Sequence, residues 1–404
     1  MRTGIFRMVE QAATALAARP DVRLALCASR HRDDTLAFAA THPTFRECRF
    51  AGDGGTWAVD RMRRRLALLD ARGRRPALPV RVRRRALRGI YTAARRVQAA
   101  APALSPDTLA QADVFHSTLH ALPTSPGPRT PRFQTLHDVI ALVMPEVNWD
   151  GADALVRGIV DGVRDDDWVL AISQHTKNDF LELRPRFDPA RVVVAHLAAD
   201  PARFYPCTDP ARRAAVRARY GVPDGPYLLS VSTLEPRKNL PHLLRTFAEL
   251  VRAERVDDLH LVLTGAKGWG NDALDATLDG LGAIRDRVVI TGFVDDDDLA
   301  ALYSDALAFV YPSLYEGFGL PPLEAMQCGV PVVTSNTSSL PEVVGDAGVL
   351  VDPRDGDALA QALLDLHRDG ALRARLAARS LAQATRFTWE RHAAATVAAY
   401  ERAL

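Results

Sequence analysis

ALAFVYPSLYEGFGLPPLEAMQCGVPVVT, residues 306–334, is the stretch on which the fold turns. An apolar run (306–311) leads into a glycine turn, a helical stretch (322–328) and a second apolar run (331–334). Strand, turn, helix and strand in that order make the repeating unit of a parallel sheet covered by helices. Working outward, the same alternation fills the second half of the chain. Runs 227–231, 260–264, 288–291 and 348–351 read as strands, and 240–254, 296–304 and 357–368 as helices. The first half repeats the pattern, with strands at 22–28, 113–116, 132–137, 167–173 and 192–195 and helices at 5–18 and 175–187. The fold class is therefore α/β, with two doubly wound, Rossmann-like domains expected to face one another across a cleft. The proline-rich segment 204–210, leading to Gly221-Val-Pro-Asp-Gly-Pro226, reads as the linker, so the first domain is set at 1–205. Thr3-Gly4-Ile5 leaves no room for a strand before the first glycine turn. That strand is expected to be missing or to lie upstream.

Composition excludes several classes. A chain of 404 residues, 48% hydrophobic and 25% charged, can bury two or three cores, which rules out disorder and a disulfide scaffold. Cys27, Cys48, Cys207 and Cys328 lie far apart with no metal-ligand spacing, as expected in a reducing compartment. No apolar run reaches the roughly 18–20 residues that span a bilayer, and MRTGIFRMVEQ lacks the apolar stretch of a signal peptide. A cytoplasmic protein is expected. The net charge of +2 hides an asymmetry. The run that opens at Arg61 and closes at Arg96 holds fourteen arginines and one acid, Asp70, leaving −11 for the rest of the chain. With Leu66, Leu68, Leu69, Val80, Val82, Leu87, Ile90 and Tyr91 interleaved, residues 61–96 read either as a solvated helix face or as a surface for anionic phosphates. The second reading would place the protein peripherally on the inner face of a membrane. Nucleic acid is not expected, because no recognition motif accompanies the charge.

Two clusters carry chemistry. Ser232-Thr-Leu-Glu-Pro-Arg-Lys-Asn239 follows the strand 227–231, and ligands of open α/β sheets sit beyond the carboxyl ends of strands. Arg237 and Lys238 there make a cationic clamp for a diphosphate, one a fork and the other a point charge. Glu316-Gly-Phe-Gly-Leu-Pro-Pro-Leu-Glu324 follows the strand 306–311. Gly317 and Gly319 let the backbone approach a ligand, and the new helix offers N–H groups to phosphate oxygens. Glu316 and Glu324, one before and one within the helix, can grip hydroxyls at opposite ends of a nucleotide-sugar. His137-Asp138 ends the strand 132–137 and reads as a hydrogen-bonded turn or a functional pair. His116 and His120 lie near another strand end. Asp295–Asp298 read as a solvated helix start.

Taken together these pieces resemble the retaining GT-B glycosyltransferases of family 4, also called group 1. TGIFR, DVFHSTLHALP, TLHDVIALVMPE, SQHTKNDF, STLEPRKN, LVLTGAKG, VITGFVDDDDLAALY and EGFGLPPLEAMQCGVPVVTSNTSSLPEV carry the resemblance. It implies an acceptor-binding domain at 1–205, a donor-binding domain at 206–386, and a last helix at 387–404 that crosses back. It implies that Arg237 and Lys238 hold the donor diphosphate without a metal. Glu316 would hold donor-sugar hydroxyls, the N–H groups of Phe318, Gly319 and Leu320 sugar or phosphate, and Glu324 the ribose. Gly265 would admit the nucleotide, Phe293 and Val294 would border the base, and Gly4 would bring the first helix to the phosphates. His137 would face the donor sugar, with Asp138 beside it. The expected activity is transfer of a hexose, from GDP-mannose or a UDP-hexose, to a glycan or polyprenyl-diphosphate-linked acceptor in cell-surface polysaccharide or glycolipid synthesis. No cofactor beyond the nucleotide-sugar co-substrate is implied. The alternatives are a GT-B nucleotide-sugar epimerase and a non-catalytic nucleotide-sugar-binding protein.

Overall fold

The computed structural model describes residues 4–26, 38–39, 41–46, 48–50, 112–122 and 130–404. The arginine-rich run 61–96 lies outside the described residues. The described residues fall into two compact units, one within Met1–His116, Pro123–Phe133 and Tyr400–Leu404, the other made of Ser117–Leu122 and Gln134–Ala399. The boundary set at 205 from sequence falls inside the larger unit, and so does most of 387–404.

In the smaller unit the helix Gly4–Ala17 is accompanied by a parallel pair of short strands, β1 (Ala25–Leu26) and β2 (Arg49–Phe50). Phe6, Phe38, His42 and Phe45 form an aromatic cluster, with His42 and Phe45 stacked at 4.3 Å. The Tyr400 hydroxyl meets His116 Nδ1 at 2.6 Å. Strands β3 (Phe115–Ser117), β4 (Arg132–Leu136), β5 (Trp168–Ala171) and β6 (Val192–Val194) form a four-stranded sheet in that order.

The six-stranded sheet is built from β7 (Tyr227–Val231), β8 (His260–Thr264), β9 (Val288–Gly292), β10 (Ala308–Tyr311), β11 (Val332–Ser335) and β12 (Val349–Val351). All pairings are parallel, in the order β12-β11-β10-β7-β8-β9. The inner strands are near-continuous apolar runs because helices cover both faces, while the edge strands β9 and β12 are only partly buried. One covering helix, Leu240–Glu254, places Leu240, Leu243, Leu244, Phe247, Leu250 and Val251 at helical spacing. They pack in one core with Leu228, Leu261, Leu263 and Val310 of the sheet and Leu359 and Leu363 of the helix Gly356–Arg368.

Two sequence readings need correction. The segment taken as a linker runs straight into a helix, Pro210–Tyr220. Proline at a first helical position does not break a helix, because its missing N–H would be unpaired there anyway. Asp209 caps this helix through Ala211 N, and Gly221, at φ 66°, ends it. Second, Asp298 is not solvated. It is buried beneath that helix, taking Arg219 at 2.7 Å and the Tyr220 hydroxyl at 3.0 Å.

The strand order also fixes where a ligand can enter. The direction of winding reverses between β7 and β10, so the loops leaving those neighbours diverge and open a crevice at their carboxyl ends. The loop after β7 carries Arg237 and Lys238. The loop after β10 carries Glu316.

Candidate active site

The two loops are locked together before any ligand is considered. Arg237 and Lys238 lie in a single turn, Pro236–Lys238, closed by Asn239 in the left-handed region at φ 57°. Asn239 Nδ2 donates to the Pro312 carbonyl at 3.1 Å and the Pro353 carbonyl at 2.7 Å. In return Leu314 N donates to the Arg237 carbonyl at 2.9 Å. The turn after β7 is thereby fastened to the end of β10.

Between the loops sits a buried charge cluster. Glu316 Oε1 accepts from Lys238 Nζ at 2.6 Å, Ser313 Oγ at 2.6 Å and the Tyr311 hydroxyl at 2.9 Å. Glu316 Oε2 meets Arg237 Nη1 at 2.7 Å, and Arg237 Nη2 meets Glu235 Oε1 at 2.6 Å. Burial would raise the Glu316 carboxyl, but Arg237 and Lys238 outweigh it and hold the group at about 2. Burial pushes the Lys238 ammonium down, helped by Arg237 and opposed by Glu316 and Glu235. For Arg237, burial acts downward too, and the two carboxylates reverse it. The cluster sets Arg237 and Lys238 against Glu316 and Glu235, an arrangement that allows partner exchange with an anionic ligand.

The backbone beyond Glu316 has a second property. Its carbonyls are all occupied: Tyr315 O by Arg237, Glu316 O and Phe318 O by Ser339, and Gly317 O by Ser173 and Thr176. Among the described residues, no acceptor takes the N–H groups of Gly317, Phe318, Gly319 and Leu320. Four consecutive free amides leave a cradle of donors available to an anion or hydroxyl. Its origin differs from the expectation of a bare helix terminus. The helix Leu320–Gln327 has proline at two of its first three positions, Pro321 and Pro322, which have no N–H to offer. The cradle is therefore mostly loop.

Gly317 is required by close approach. A Cβ there would lie 2.3 Å from the His137 carbonyl and 2.8 Å from Asp138 Cβ. This contact places His137 and Asp138 against the loop. His137 Nε2 donates to the Thr118 carbonyl at 2.7 Å, which leaves Nδ1 as a bare acceptor, and Nδ1 is buried without a protein partner. Burial lowers the His137 pKa, with the Thr118 bond and Asp138 acting against it, so the ring is neutral. A neutral ring with an unpaired lone pair can take a hydrogen bond from a ligand hydroxyl. Asp138 Oδ1 is occupied by Ile140 N at 3.0 Å.

The remaining expected residues are spread more widely. Glu324 is buried on the helix Leu320–Gln327 and accepts from the Tyr303 hydroxyl at 3.1 Å. Gly265, at φ 143°, would with a Cβ collide with the Ser232 carbonyl, so the backbone itself demands glycine there. Its N–H donates to Gly292 O, which sets it beside the end of β9, where Phe293 is half-exposed and Val294 buried. Gly4 begins a helix of the smaller unit. The structure brings Arg237, Lys238 and Glu316 into direct contact and Gly317 against His137 and Asp138. Among the contacts of the charge cluster, Glu324 does not appear. Sequence reading missed Glu235, Tyr311, Ser313, Ser339 and the pair Ser173 and Thr176. Only Glu235, two residues from Arg237, carried a visible signal. Among the described residues, no group of three His, Cys, Asp or Glu side chains is placed to hold a metal ion.

Comparison with known proteins gives this site a context. Residues 213–382 match the family described as glycosyl transferases group 1. Over 268 residues the chain is 37% identical to O-antigen chain mannosyltransferase B of Escherichia coli, covering 66% of this chain and 69% of that protein. The chain belongs to the group 1 glycosyltransferases. The resemblance drawn from sequence is thus borne out. A second relative of this glycosyltransferase, the serotype-specific mannosyltransferase WbdA of Escherichia coli, is 34% identical over 243 residues, but the chain spans only 29% of its length. Among solved structures, WaaG, a glycosyltransferase involved in lipopolysaccharide biosynthesis, matches with a TM-score of 0.63 at 17% identity, over 98% of this chain and 96% of that one. Sucrose-phosphate synthase from Thermosynechococcus elongatus matches with a TM-score of 0.58 at 23% identity, over 74% and 78%. These likenesses show the GT-B fold. No described helix of the glycosyltransferase is long and apolar enough to cross a membrane.

Proposed function

We propose that the chain is a retaining, metal-independent hexosyltransferase that moves mannose or a similar sugar from a nucleotide donor to a glycan or lipid-linked saccharide. The product would enter a cell-surface polysaccharide or glycolipid. The observation that carries this reading is the buried Arg237–Glu316–Lys238 cluster beside four unpaired amides, at the point where the strand order reverses. Mannosyltransferase relatives favour GDP-mannose as donor, with a UDP-hexose as the alternative. They favour transfer over epimerisation and over binding alone.

Partner exchange supplies the mechanism. Glu316 is the counter-ion of both cations. An entering donor diphosphate takes over Arg237 and Lys238, and the freed Glu316 oxygens accept hydroxyls of the sugar. The cradle amides hold sugar or phosphate oxygens, and the His137 lone pair accepts one more hydroxyl. As the bond to the anomeric carbon breaks, charge gathers on the departing nucleoside diphosphate, where two fixed cations already stand. No side chain is assigned as nucleophile. The acceptor oxygen bonds the anomeric carbon as its proton goes to the leaving diphosphate on the same face, which retains the anomeric configuration. Attachment to an anionic membrane surface through the run from Arg61 to Arg96 would bring the enzyme to lipid-linked acceptors. A thermal-shift panel of nucleoside diphosphates and their sugars tests the donor reading. A ligand at one hundred times its dissociation constant stabilises the folded state by about 2.7 kcal/mol, a readily measured rise in Tm. No shift with any nucleotide would refute the donor site.

A further inference from the structure

Asp179 is a carboxylate in the buried face of a helix, Gln174–Leu183, where an apolar side chain would cost less to bury. Its partners explain its presence. The Tyr315 hydroxyl donates to both carboxylate oxygens, at 3.0 and 2.9 Å. His175 Nε2 lies 2.6 Å from the same hydroxyl and 3.4 Å from Asp179 Oδ1, with its ring edge-on to that of Tyr315. A phenol that gives its one proton to Asp179 must accept from His175, so the three groups define a directed chain. Burial raises the Asp179 carboxyl, while His175 and Tyr315 pull it back.

Tyr315 is the link to the chemistry. Its carbonyl accepts from Arg237 Nη1 at 2.8 Å and from Ser313 Oγ at 3.3 Å, and it directly precedes Glu316. The same helix is joined to the loop at a second point, because its cap residue Ser173 donates to the Gly317 carbonyl at 2.7 Å. A shift of the Tyr315 ring therefore moves the carbonyl that aims the guanidinium and the Cα that carries the carboxylate. Held at both ends, residues 315–317 have little freedom to drift from the helix.

We infer that Asp179 is a positioning residue for sugar transfer, acting through the Tyr315 hydroxyl to hold Arg237 and Glu316 in register. This rests on the reading of those two residues as the donor site. The test uses the full chain with Asp179→Asn, Tyr315→Phe and the double variant. Tyr315→Phe keeps the ring and removes only the hydroxyl, so it preserves packing if Asp179→Asn does not. With donor saturating, each single variant is expected to lower kcat about tenfold, with the donor KM changed less than about threefold. The double variant is expected to lose no more than either single one, because both changes remove one bond. Direct calorimetric titration with GDP and UDP is expected to give dissociation constants within about threefold of wild type in all three, since Glu235, Glu316 and the Tyr315 carbonyl still hold Arg237. A wild-type enzyme that works while both single variants keep kcat within about twofold, or a double variant whose losses multiply, overturns the positioning role alone. A wild-type chain that neither turns over any nucleotide-sugar nor binds either diphosphate overturns the donor-site reading, and this inference with it.

Discussion

Under the proposed function Glu316 has two jobs that separate experimentally. It is the counter-ion of Arg237 and Lys238 in the fold, and it would accept sugar hydroxyls in turnover. Glu316→Gln is expected to depress kcat tenfold or more, since one contact made in the transition state is worth roughly 1.4–4 kcal/mol. Glu324→Gln, whose carboxylate accepts from Tyr303, is expected instead to raise the donor KM with kcat little changed. Steady-state kinetics on both variants decides this, and normal kcat in Glu316→Gln at saturating donor would reject the assignment. The pH dependence follows from the carboxyl held at about 2 in the folded protein, below its ordinary value of 4.5. A depressed pKa adds stability that is complete above the ordinary value and is lost as pH falls through the folded one. The gap in Tm between wild type and Glu316→Gln should therefore be full at neutral pH, narrow as pH falls below 4.5 and close at about 2, as read by thermal unfolding across a pH series. Arg237, Lys238 and Glu316 were legible in sequence because a cation pair and a carboxylate each follow a strand directly. Tyr311, Ser313 and Ser339 were not, since a hydroxyl serves equally well as surface, cap or anchor, and only folding shows which carbonyl or carboxylate it reaches.

Loops and turns impose a different kind of constraint, set by backbone rather than charge. At Gly317 a Cβ would strike the His137 carbonyl, and at Gly265 it would strike the Ser232 carbonyl while sitting at φ 143°. Gly265→Ala is expected to destabilise by about 1–3 kcal/mol or more, because strain at a disallowed φ adds to the collision. Denaturant unfolding measures it. Gly317→Ala must push the loop off His137 and is expected to abolish most turnover while nucleoside diphosphate binding falls less; unchanged turnover would mean the His137 contact has no part in transfer. The strands of the six-stranded sheet were readable within a residue or two, since their apolar runs have flanks that punctuate them. The helix Pro210–Tyr220 was lost because proline was read as a breaker, although Asp209-Pro210 and Gly221 are the opening and closing signals of a helix. Asp298 escaped for a related reason. In a run of four aspartates, sequence alone does not say which one turns inward to meet Arg212, Arg219 and Tyr220.

For the protein as a whole, charge distribution and catalysis lead to separate tests. The +13 of residues 61–96, in a chain otherwise acidic by −11, is expected to carry it to anionic membranes, each cation near the surface adding about 1 kcal/mol. Sedimentation with anionic but not neutral liposomes, weakened by salt and by changing Arg63, Arg64, Arg65, Arg83, Arg84 and Arg85 to Gln, is the expected result. Equal sedimentation in every condition would make the run an ordinary solvated surface. The parallel-sheet architecture and the family were readable from motif order, because STLEPRKN and EGFGLPPLE each directly follow a strand at the point where the winding reverses. The division into compact units was not, since it depends on which segments touch and not on where a proline-rich stretch falls. The transfer itself is measured most directly by incubating the protein with GDP-mannose or a UDP-hexose, with and without a glycan or polyprenyl-diphosphate-linked acceptor, in excess EDTA. Arg237 and Lys238 as the diphosphate clamp require acceptor-dependent release of nucleoside diphosphate and a product whose anomeric configuration matches the donor. An epimerised donor without release, or activity that chelation abolishes and manganese or magnesium restores, would contradict it.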